Sequence, residues 1–193
     1  MPYKIPKIPI FDSLVGIEKR VQGLQQNIAE LDWLEYSFGL SKRVELGAGD
    51  DLHEAPVIYT GVHSDPLSMM MWPNDVYKAY AFWELLEADE FQYFDNVSAM
   101  RRFPKVVQPL ALIVCLDNDK ISPGQDRNVT HSICRMELIN KLNSKNTTSG
   151  IFTIASVLQN TDGVFDGYDM RPLTEPYSCL RIEGTLTYTH DCK

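Results

Sequence analysis

The run Tyr177-Ser-Cys-Leu-Arg-Ile-Glu-Gly-Thr-Leu-Thr-Tyr-Thr189 splits by parity into two chemically distinct rows. Leu180, Ile182, Leu186 and Tyr188 fall on one side, and Arg181, Glu183, Thr185, Thr187 and Thr189 on the other. This alternation predicts a strand with one face on a core and the other in water. A second stretch, Leu110-Ala-Leu-Ile-Val-Cys-Leu116, is apolar throughout and follows Pro109. Its length and β-branched content predict a strand covered on both faces, at the centre of a sheet.

Outward from these strands, Ile151–Leu158 reads as a further strand, as do Arg43–Leu46, Ala55–Tyr59 and Val76–Leu86, with turn residues Gly47–Asp51 and Thr161–Gly163 between segments. Two helices are expected. The first starts at a cap on Asp12 or Ser13 and carries Leu14, Ile17, Val21, Leu24, Ile28, Leu31, Leu34 and Phe38 at steps of three and four, with Gly39 placed to end it. The second spans Gln125–Leu142 with Val129, Ile133, Met136, Ile139 and Leu142 on its apolar side. The order predicts an α+β fold with a largely antiparallel sheet, a long N-terminal amphipathic helix and a second helix packed on it. Residues 1–10 read as an extended arm, since Pro2, Pro6 and Pro9 alternate with Ile5, Ile8 and Ile10, and residues 11–193 as a single domain.

With 193 residues, 44% hydrophobic, the composition is that of a globular chain able to bury a core. A formal charge of -8 argues against affinity built on neutralising phosphates. The N-terminus lacks the pattern of a signal peptide, and no segment approaches the roughly 20 apolar residues of a membrane span, so no membrane association is expected. Cys115, Cys134, Cys179 and Cys192 are scattered without a Cys-x-x-Cys pair and read as reduced thiols.

Chemical signatures are sparse. The phosphate-cradling, dinucleotide, nucleophile-elbow and zinc-protease motifs are missing, and His53, His63, His131 and His190 form no ligand pair. Asp117-Asn-Asp119 resembles the opening of a calcium loop, but Ser122 and Asn128 stand where glycine and glutamate are required, so an acidic turn is expected. Asp50 with Asp51, and Asp166 with Asp169, read as solvated loop charges, and Asn96, Asn128 and Asn146 as chance matches to the glycosylation pattern. No catalytic residue, metal or cofactor is predicted. Two features suit either an ordinary structural role or contact with other molecules: the loop bearing Met69, Met70, Met71 and Trp72, which either tucks back as core or is presented to a partner, and the basic cluster Arg101, Arg102 and Lys105, which is either a solvated loop face or a contact to DNA or an acidic partner.

The run Pro9-Ile-Phe-Asp-Ser-Leu-Val-Gly16, leading into a helix with Leu31-Asp-Trp-Leu34 and Phe38-Gly39, together with Pro176-Tyr-Ser-Cys-Leu-Arg-Ile-Glu-Gly-Thr-Leu186, resembles small neck proteins of tailed bacteriophages. It looks like the tail-terminator or head-to-tail connector class, ring proteins of crAss-like phages included. The similarity covers roughly residues 8–45, parts of 105–142 and 176–190. It implies a tail-terminator-like α+β fold and a structural, non-enzymatic virion protein, made in the host cytoplasm. Such a protein forms a homo-oligomeric ring between portal and tail, contacts neighbouring neck, portal or tail proteins, and surrounds double-stranded DNA that passes through without sequence-specific binding. In such a ring Ile5, Ile8, Ile10, Met69, Met70, Met71 and Trp72 would serve as interface residues. The alternatives are a small enzyme or ligand-binding domain using the acidic turns, and a host adaptor using its long helix.

Overall fold

The strand that organises the sheet is β5 (Lys105–Asp117), which contains the apolar run together with Pro109. A computed structural model of the chain describes residues 16–46, 53–58, 77–87, 90–92, 105–143, 150–159 and 176–189. The other strands are β1 (Tyr36–Leu46), β2 (His53–Ile58), β3 (Ala79–Leu85), β4 (Glu90–Gln92), β6 (Ile151–Gln159) and β7 (Tyr177–Thr189). The helices are α1 (Gly16–Ile28), the single turn α2 (Asn118–Ile121) and α3 (Arg127–Asn143). The α+β class is as expected.

The strands β1-β3-β5-β7-β6 form one mixed sheet, with β2 hairpinned onto the far half of β1 and β4 paired to the start of β5. Every pairing is antiparallel except β1 with β3. A proline inside a central strand removes a ladder donor, and the topology absorbs it. The Pro109 carbonyl accepts from Leu86 N at 3.3 Å, so its donorless nitrogen faces that same edge. There β5 changes partner, from β3, which ends opposite Leu110, to β4, which begins opposite Val107. Gln108 bridges the break, its Nε2 donating to the Glu87 carbonyl at 2.7 Å.

On one face of the sheet, Ala79, Ala81, Trp83, Leu110, Leu112, Val114, Leu116, Leu180, Ile182 and Leu186 join Val21, Leu24 and Ile28 of α1 and Cys134, Leu138 and Leu142 of α3 in the main core. The other face carries a smaller buried cluster of Phe38, Tyr80, Phe82, Ile113, Cys115 and Cys179. On that face Tyr36 stacks on Tyr77 at 5.1 Å, and the Cys179 thiol donates to Cys115 Sγ across the strand pair at 2.9 Å. Burial in two directions is what the apolar run of β5 predicts.

Three expectations need correction. The first helix does not reach Phe38; α1 ends at Ile28. Short turns close it, Leu31 N to Ile28 O at 3.0 Å and Leu34 N to Leu31 O at 3.2 Å, and the aromatic Tyr36-Ser-Phe38 enters β1. Leu31 and Leu34 keep the helical spacing because they fill the same core from a turn. Gly39 accordingly does not end a helix. With φ +91 it sits in a bulge, where Ser37 to Leu40 of β1 spans Ala81 to Trp83 of β3. A Cβ there would press on the Gln25 amide at 3.3 Å, and Gln25 Nε2 itself donates to the Ser37 carbonyl at 3.0 Å, tying helix to bulge.

The third correction concerns β7. Leu180, Ile182 and Leu186 do face the core, but the opposite row is not uniformly wet: Arg181 is 3% exposed. Its Nη1 donates to Glu84 Oε2 at 3.0 Å and its Nε to Glu183 Oε1 at 2.7 Å, so the guanidinium is buried with carboxylates on both sides. From Glu183 onward the row is partly exposed, through Thr185 and Thr187, and Thr189 is exposed.

Candidate subunit interface

Helix α3 begins where Asp126 caps it, its Oδ1 accepting from Asn128 N at 2.9 Å and Val129 N at 3.2 Å. The extent of the helix matches expectation, but its orientation does not. Thr130, His131, Cys134, Leu138 and Leu142 face inward, whereas Val129 is 46%, Ile133 46% and Met136 57% exposed. The expected apolar side therefore lies largely outside, with Leu142 buried and Ile139 partly buried against the core. The inner face includes residues that a hydrophobicity pattern counts as polar. Burial lowers the His131 pKa, and a hydrogen bond to the Cys179 backbone opposes that shift.

Ile133 also borders an open cleft of about 730 Å³ between α3 and the turn that joins α1 to β1. Leu31, Trp33, Ile121 and Cys134 supply its apolar surface, and Glu30, Asp32, Glu137, Lys78 and Lys141 its charges. Two contacts hold the walls together. Trp33 Nε1 donates to Glu137 Oε2 at 2.9 Å, and Lys141 Nζ pairs with Glu30 Oε2 at 2.5 Å. Burial, reinforced by Glu137, pushes the Cys134 thiol up to about 12, so at neutral pH it lines the cleft as an apolar group and not as a nucleophile.

The acidic turn is used locally. Asp117 caps α2, with Oδ1 accepting from Lys120 N at 3.1 Å, and Asp119 forms a two-pronged pair with Arg127 at 3.1 Å. Among the described residues no group of three or more His, Cys, Asp or Glu could hold a metal ion. No described helix is long and apolar enough to cross a membrane.

Of the residues singled out from sequence, Ile5, Ile8, Ile10, Met69, Met70, Met71, Trp72, Arg101 and Arg102 lie outside the described residues. Lys105 opens β5 between Gln92 and Thr189, partly exposed. The α3 row and the cleft were not anticipated as a surface. The signal lies in Val129, Ile133 and Met136, whose helical spacing alone points to a core-facing side. No protein-family model matches the chain, and no curated protein matches it.

Proposed function

We propose that the chain is a structural virion protein, a subunit of a homo-oligomeric ring in the neck of a tailed phage, between portal and tail and around the DNA channel. The observation that carries the reading is the exposed row Val129, Ile133 and Met136 leading into the cleft beside Trp33. A row of apolar side chains of this size on one helix is stabilised when a neighbouring protein covers it, as assembly interfaces do. The sequence resemblance supplies the setting. It rests on the segments quoted, not on a long helix ending at Phe38-Gly39, since in this chain those two residues belong to β1. The acidic balance suits a wall past which DNA slides, because adhesion grows with the number of phosphates neutralised. Of the two acidic turns open to the alternative enzyme or ligand-binding reading, Asp117 and Asp119 are engaged by a helix cap and an arginine, and Asp166 and Asp169 lie outside the described residues.

Electron-microscopic class averages of the purified chain, alone and mixed with a portal protein, test the proposal. Annular particles with an open centre in either condition are expected. Monomers in both conditions contradict it.

A further inference from the structure

We infer that Cys115 and Cys179 are a disulfide site, closed to a cross-strand bond between β5 and β7 when the chain folds in contact with a low-molecular-weight disulfide of the glutathione type. The inference goes beyond the ring proposal and does not depend on it. In this structure both groups are free thiols, the Cys179 thiol donating to Cys115 Sγ at 2.9 Å. The two residues are register partners in the ladder of β5 with β7, which runs without a shift from Lys105 opposite Thr189 to Asp117 opposite Tyr177. Residues directly opposite each other in an antiparallel pair have Cα atoms about 4.5–5.5 Å apart, inside the span of about 4.4–6.8 Å that a disulfide bridges. The bond therefore needs side-chain rotation and no slip of the strands. Among the described residues the one other cysteine is Cys134, which lies in the core on the helix-bearing face of the sheet, whereas Cys115 and Cys179 belong to the cluster on the opposite face.

Oxidation passes two electrons to the small disulfide. A thiolate from one cysteine attacks it and displaces one small thiolate; the second cysteine, deprotonated in turn, attacks the protein-side sulfur of that mixed disulfide and displaces the other. One S–S bond is formed and one is lost, and the two cysteine protons end on the two small thiols released. Timing follows from burial. Cys115 is 3% and Cys179 0% exposed, in a cluster with Phe38, Tyr80, Phe82 and Ile113. Burial, reinforced by the Cys115 thiol beside it, holds the Cys179 thiol well above the ordinary thiol range. Only a thiolate attacks, and the folded pair is closed to the small disulfide, so the bond forms while β7 docks on β5 and is then shielded from reductants by the same side chains. It joins positions 64 apart and closes a loop that contains α2, α3 and β6, which lowers the entropy of the unfolded chain.

The test refolds the full, reduced chain from urea in a mixture of reduced and oxidised glutathione, blocks the remaining thiols with N-ethylmaleimide and maps the products by mass spectrometry. A linked pair of peptides carrying Cys115 and Cys179 is expected in most molecules, with Cys134 and Cys192 blocked. The bonded chain should melt at least about 5 °C above the same chain after reduction. Chain that is already folded should acquire the bond at least about tenfold more slowly than refolding chain. Cys115→Ala should remove both the linkage and the melting shift, and the parent chain in its two redox states gives the decisive readings without relying on that variant to fold. Both thiols blocked by maleimide, glutathione left attached at either position, pairing with Cys134 or Cys192, equal rates for folded and refolding chain, or a bonded form that melts no higher than the reduced one overturns the inference.

Discussion

Trp33 and Glu137, 104 positions apart in sequence, are joined by a 2.9 Å hydrogen bond from the indole Nε1 to the carboxylate, which fixes the turn after α1 against the outer half of α3. The bond holds two walls of the cleft in register, and Trp33 itself is only 7% exposed. Trp33→Phe keeps an aromatic ring but loses volume and a charge-assisted bond, so a loss of about 2–3 kcal/mol in denaturant-derived stability is expected. Glu137→Gln keeps an acceptor and should cost less than about 1 kcal/mol. Equal effects of the two substitutions would show that the bond is incidental.

Arg181 is expected to be the most sensitive position of β7. Arg181→Met leaves Glu84, 3% exposed, without its cation, and removing one partner of a buried pair costs about 3–5 kcal/mol. The double variant Glu84→Leu with Arg181→Met should recover at least half of that loss, since it buries no charge at the pair. A double-mutant cycle in urea reads the coupling directly, and additive losses would contradict it.

How much of this was legible in the sequence varies by element. The inward row of β7 and the doubly covered β5 follow from period and composition alone. Arg181 does not, because a parity reading cannot see that Glu84 and Glu183 converge on it. The over-long first helix arose because Leu31 and Leu34 continue the helical spacing while serving the same core from a turn, whereas the stronger local signal was the aromatic pair Tyr36 and Phe38 at the start of β1. On α3 the hydrophobic stripe was real but faced outward, since Cys134 and His131 fit the sheet better than their polarity suggests. The cleft joins residues a hundred positions apart and has no local signature.

Gly184 of β7 stands where β6 crosses with a register shift between Ile154 and Ser156. A Cβ at this position would run into the Thr153 carbonyl and meet the Phe152 ring at 2.8 Å. Gly184→Ala should therefore cost about 1–3 kcal/mol, measured as a shift in the urea midpoint. A neutral result would mean that β6 yields easily at this point.

His131 gives stability a pH dependence of defined sign. Its pKa in the fold is held below the ordinary 6.5, first by burial and then by the charge of Arg135, against the opposing Cys179 backbone bond. At pH well above 6.5 the ring is neutral in both folded and unfolded chains and contributes no slope. As pH falls below 6.5 the unfolded chain takes up a proton that the fold resists, so stability falls until the folded pKa is passed and then levels. Urea midpoints measured between pH 7 and pH 5 should decline more steeply for the parent chain than for His131→Asn. Parallel curves would contradict the assignment.

The measurement that tests the central claim most directly is imaging of intact particles of the phage to which the proposal assigns this chain, at a detail sufficient to place its sheet and count its copies. The ring account predicts a closed ring of identical copies in the neck, coaxial with the DNA, with each α3 turned toward a neighbouring subunit. A chain located in the capsid or tail fibres, or present as a single copy beside the channel, would contradict it.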